Sequence, residues 1–95
     1  MSKGYWILHI DVTDMDAFKD YAAAANAVFK EHNPTFLVGG GVYEIVEGAL
    51  KSRHVVLEFS TYQAALDCYH SDKYQEAVRL RETCSTCDLV IVEGK

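Results

Sequence analysis

Read by twos, residues Gly4–Val12 split into two unlike sets. Trp6, Leu8, Ile10 and Val12 are all apolar, whereas Tyr5, Ile7, His9 and Asp11 mix apolar and polar groups. Side chains alternate across a strand, so the two sets look into different surroundings. The apolar set belongs against a core. The mixed set is too apolar for plain solvent and too polar for a dry interior, which suits a cavity wall or a partner interface. The same split recurs further on: Val55, Leu57 and Phe59 face one way, His54, Val56 and Glu58 the other.

Between these strands the period changes. Phe18, Tyr21, Ala22, Ala25, Val28, Phe29 and His32 recur at spacings of three and four, predicting a helix over about 14–32. Thr13-Asp14-Met15-Asp16 opens it and Asn33-Pro34 closes it. Phe36–Val38 and Val42–Glu47 read as one long strand interrupted by Gly39-Gly40-Gly41, where glycine suggests a bulge or close approach by another group. Gly48–Arg53 reads as a turn. Ser60-Thr61-Tyr62-Gln63 starts a second helix that runs to about Tyr69, restarts at Ser71 and continues to about Thr83. Asp88–Glu93 reads as the last strand. The order βαββαβ predicts an α+β ferredoxin-like plait with a four-stranded antiparallel sheet, the first and third strands central and both helices on one face. The uncovered face would carry Ile7 and Val56, so a second copy is expected to cover it.

Composition narrows the possible roles. Ninety-five residues suit one domain, taken here as 1–95. The net charge is -5 and no run of Lys or Arg occurs, which argues against nucleic acid or an anionic membrane as partner. No stretch approaches the roughly 20 apolar residues of a membrane span. Three cysteines are an odd number, and no signal-type apolar stretch precedes the first strand, so a reduced, cytoplasmic protein is expected.

Few residues carry chemistry. Cys84-Ser85-Thr86-Cys87 lies at a helix C-terminus, where the dipole raises a thiol pKa, and no second ligand pair accompanies it. No metal or cofactor is therefore predicted. Gly39-Gly40-Gly41 lacks the following Lys and helix of a phosphate loop. His9 and His54 occupy the mixed faces, and Glu58 shares the face of His54. These three are the candidate catalytic groups, because imidazole exchanges protons near neutral pH and a carboxylate can orient it. The ordinary alternative is a pair of satisfied interface histidines. Candidate ligand contacts are Tyr5, Asp11, Tyr43 and Arg81, the last a guanidinium that could hold a carboxylate.

Lys3-Gly4-Tyr5-Trp6-Ile7, Asp11-Val12-Thr13-Asp14, Gly40-Gly41, Glu47-Gly48, Arg53-His54-Val55-Val56-Leu57-Glu58-Phe59 and Asp88-Leu89-Val90-Ile91-Val92-Glu93-Gly94 together resemble the domain of unknown function 1330 family across the whole chain. Tyr74, Gln75 and Arg81 fit its second-helix pattern. Gly39, Leu50 and Ser60 depart from it, standing where the family often has a basic residue, Trp and Pro. The resemblance implies a dimeric α+β barrel, two open sheets closing on each other in a homodimer. Relatives by fold include cofactor-independent monooxygenases, muconolactone isomerases and haem proteins of the chlorite dismutase kind. Two readings stay open: a homodimer with a small-molecule pocket between sheet and helices that acts on a small organic acid or lactone, or a non-catalytic ligand-binding or structural dimer.

Overall fold

The computed structural model describes residues 2–95. Strand β1 (Gly4–Val12) leads to helix α1 (Met15–His32), strand β2 (Thr35–Gly39) and strand β3 (Arg53–Phe59). Helices α2 (Tyr62–His70) and α3 (Asp72–Glu82) and strand β4 (Ser85–Glu93) complete the chain. The sheet order is β2-β3-β1-β4, antiparallel throughout, with β1 and β3 central as the βαββαβ order predicts.

Local chemistry fixes the helix ends. Asp14 accepts a hydrogen bond from the Ala17 amide at 3.2 Å, and α1 stops where Asn33 turns left-handed (φ 52°) ahead of Pro34. The Thr61 hydroxyl accepts from the Ala64 amide at 3.0 Å and starts α2. Ser71 caps α3 by accepting from the Tyr74 amide at 3.2 Å, so the expected restart at Ser71 is a real break between two helices.

The core lies between the helices and one sheet face. Trp6 is its centre, wholly buried, with the rings of Phe29, Phe59, Tyr69 and Tyr74 within 6 Å. Its indole N–H donates to the Ala65 carbonyl at 2.9 Å, so a large ring is buried without an orphan donor. Gly4 lets α2 approach β1: a Cβ there would sit 2.6 Å from Tyr62 Cα and 2.7 Å from the Thr61 carbonyl oxygen.

Three expectations are corrected. No strand forms over 42–47; this segment is irregular and exposed. Val42, Ile45 and Val46 have strand-like side chains, but the β2–β3 pairing ends at Gly39 and Val55 and β3 itself begins at Arg53, so too little of its edge is left to pair a six-residue strand. The irregularity in β2 falls between Phe36 and Val38, not at the glycines. The last strand starts at Ser85, because β1 offers partners as far as Val12, opposite Ser85. Cys87 therefore belongs to a strand.

The result is a slab of 37 × 33 × 17 Å, one helical layer on one sheet. It exposes 6114 Å², where a monomer of this mass exposes roughly 5,500 Å². Much exposed apolar surface lies in the 41–52 arm, with Val42 and Val46 exposed, and on the sheet face opposite the helices, with Val38, Val90 and Val92 exposed.

Candidate functional site

The register arranges the open face in rows. Val38, Val56, Ile7 and Val90 lie side by side across the four strands as an apolar band. On one side of it, Glu58 stands opposite Tyr5, and Tyr5 opposite Val92. On the other side, His54 stands opposite His9, and His9 opposite Asp88.

The two histidines meet directly, Nδ1 to Nδ1 at 2.8 Å, with the rings edge to face. One Nδ1 must donate and the other accept, so the bond holds one proton and is lost if both rings carry one there. Tyr43, from the arm, stacks edge-on against His54 with ring centres 4.7 Å apart. Next along β1, Asp11 accepts from the Ser52 amide at 2.7 Å and the Ser52 hydroxyl at 2.8 Å. These bonds, the hydroxyl's first, hold its carboxyl below the ordinary value. Lys51 pairs with Asp88 at 2.5 Å. The end of the arm is thus tied across β1 and β4.

Glu58 was expected to orient an imidazole. The structure separates it from the histidines by the apolar band. It accepts instead from the Tyr5 hydroxyl at 2.9 Å and the Lys3 ammonium at 3.2 Å. The Tyr5 bond first, then the Lys3 bond, lowers the Glu58 carboxyl below its usual range.

Arg81 lies on the other side of the sheet, buried among the helices. It donates to the Tyr74 hydroxyl at 2.9 Å and the Tyr21 hydroxyl at 3.4 Å, and those two hydroxyls meet at 2.7 Å. Burial pushes the Tyr74 phenol well up, so it serves as a neutral partner. Among the described residues no carboxylate pairs with Arg81. Its role here is to brace Tyr21 from behind.

Tyr21 in turn walls a cavity of about 120 Å³ between α1 and the helix-side face of the sheet. Leu8, Ile10, Val55 and Leu57 form its floor, and Phe18, Ala22, Ala25 and Phe29 its roof. Phe36 closes the β2 edge, and the exposed side chains of Asn26 and Arg53 stand at the rim. Sequence reading passed over Arg53, Asn26 and Tyr21. Parity carries a signal for Arg53, which shares the face of Val55, Leu57 and Phe59, although Gly48–Arg53 reads as a turn. The cavity and the histidine pair are on opposite faces of the sheet, so the expected groups fall in three places, not one.

A four-stranded antiparallel βαββαβ sheet with helices on one face and an apolar band on the other defines the class. This is a ferredoxin-like α+β fold. Residues 3–95 match the family described as Domain of unknown function (DUF1330), and the chain belongs to that family. Among solved structures, it is similar to RPA0582, a protein of unknown function from Rhodopseudomonas palustris, with TM-score 0.78 and 13% identity over 99% of this chain and 83% of that one. It is similar to SnoaB, a cofactor-independent oxygenase from Streptomyces nogalater, with TM-score 0.67 and 12% identity over 100% and 95%. A dimeric protein of unknown function with a ferredoxin-like fold from Bacteroides fragilis gives TM-score 0.62 and 10% identity over 96% and 95%. At such identities the likeness is one of fold. No curated protein matches the chain in sequence. Among the described residues, no helix is long and apolar enough to cross a membrane.

Proposed function

We propose that this chain is one protomer of a homodimer that binds a small organic molecule between α1 and the sheet. The observation that carries the reading is the cavity itself. Protein interiors are packed to the density of organic crystals, and voids larger than a water molecule are few. A space of about 120 Å³ with an apolar lining and a polar rim has the make-up of a ligand site at a smaller scale than the ~300–1,000 Å³ of drug-sized pockets, so it suits only a small molecule. The dimer is supported by the apolar band, by the thin slab and by the dimeric neighbour from Bacteroides fragilis. Free Cys68, Cys84 and Cys87 fit work in a reducing cytoplasm.

A thermal-shift screen of small organic molecules tests this reading, run on the native protein and on Ala25→Leu, which fills the cavity. A ligand at 100 times its Kd raises stability by about 2.7 kcal/mol. Stabilisation that vanishes in Ala25→Leu is expected. No stabilising molecule, or equal stabilisation of the filled variant, would reject the cavity as the site.

The His9–His54 bond favours a second reading, chemistry on a small organic acid or lactone inside the barrel that two sheets would enclose. A histidine pair joined Nδ1 to Nδ1 can pass a proton beside a substrate, and Tyr43 narrows the space around it. His9 cannot serve a molecule under α1, because the sheet lies between. Turnover abolished by His9→Ala, with the fold intact, is the outcome this second reading requires.

A further inference from the structure

The rim of the cavity says more about what would enter it. We propose that the ligand is a small monocarboxylate, its apolar body under α1 and its carboxylate on Arg53. This rests on the cavity reading above.

Arg53 opens β3 opposite Ile10, and its parity sends the side chain to the helix side, where it lines the cavity. Its guanidinium lies against Gly40, whose φ is +78°, and any Cβ there would run into it. Gly40 is also anchored, its amide donating to the His54 carbonyl at 2.9 Å. The glycine thus leaves the room that the guanidinium occupies. Among the described residues Arg53 has no ion-pair partner and donates no side-chain hydrogen bond, unlike Lys3, Lys51 and Lys73, which each hold a carboxylate. A free planar fork at the mouth of an apolar space suits a carboxylate, which it binds with two parallel hydrogen bonds. Asn26, across the rim on α1, offers an amide donor as well.

Size limits the body. An apolar cavity of roughly 150 Å³ holds benzene. At about 120 Å³ this one is of that order, so a single six-membered ring or a short branched chain fills it and a larger body would project through its open rim.

Benzoate and its neutral counterpart benzamide separate the two claims. Both are titrated into the native dimer and into Arg53→Gln, and the backbone amides of Leu8, Ala25 and Val55 are followed by NMR. Benzoate is expected to shift these amides in the native protein and to lose tenfold or more in affinity in Arg53→Gln, the size of loss typical of a charged hydrogen-bonded pair. Benzamide affinity should be the same in both proteins, which also shows that the variant is folded. If benzamide binds as tightly as benzoate and Arg53→Gln changes neither, the carboxylate assignment is wrong while the cavity reading stands. If neither compound moves any of these amides, nor does toluene, both fail.

Discussion

At the scale of single residues, Glu58 shows how the open face holds its polar groups in place. It accepts from Tyr5 and Lys3, and both bonds favour the charged form. Its folded pKa therefore lies below the ordinary 4.5 of the unfolded chain. A carboxyl shifted this way contributes stability that is complete above the unfolded value and is lost as pH falls through the folded one. Glu58→Gln should flatten the acid limb of the stability curve. Tyr5→Phe, which removes the larger cause, should flatten it in part. Urea unfolding midpoints across the acid range decide this, and an unchanged acid limb in Glu58→Gln would contradict it. The placement of Glu58, His9 and His54 on one face was legible in the sequence, because alternation fixes parity. The distance from Glu58 to His54 was legible too, four strand residues or about 13 Å, but which of them His9 would meet was not, because that depends on the register between β1 and β3, which no local pattern states. Nor could the sequence show that Arg81 would end on two phenols, since the burial of a guanidinium is set by how α1 and α3 pack.

At the scale of elements, the strands and helices follow from pattern and caps, and the exceptions mark where pairing decides. Val42, Ile45 and Val46 look like a strand by residue type, yet strand structure needs an edge to bond to, and beyond Val55 β3 has only His54 and Arg53 left. The arm is held instead by side chains: Ser52 on Asp11, Lys51 on Asp88 and Tyr43 on His54. Glycines are the other case. The triplet at 39–41 was read as a bulge or a close approach, and Gly40 is the close approach, to Arg53. Gly4 had no such signal, because its neighbours Thr61 and Tyr62 come from an element far along the chain. A methyl at Gly4 would meet α2 backbone at 2.6 Å, which no side-chain rotation relieves. Gly4→Ala should cost about 1–3 kcal/mol, as overpacking of a tight contact does. Chemical denaturation measures it, and a loss below about 0.5 kcal/mol would mean that α2 does not sit on β1 this closely.

At the scale of the whole molecule, the slab has one covered face and one bare. Val90 is 53% exposed and Val38 40% exposed in the protomer, both in the apolar band. Two such faces packed together should bury the ~1,200–2,000 Å² of a specific pair. Val90→Asp places a carboxylate in that band without disturbing the core of the protomer. Sedimentation at micromolar concentration should give a dimer for the native protein and a monomer for Val90→Asp. A native monomer would remove the partner from the account. The central claim is narrower, that the space under α1 is open to a small guest. Diffraction from a crystal pressurised with xenon tests it most directly, since xenon enters apolar cavities without needing a polar partner. A xenon atom is expected between Leu8, Ala25, Phe29 and Leu57. A crystal in which those side chains close on each other and no xenon lies among them would contradict it.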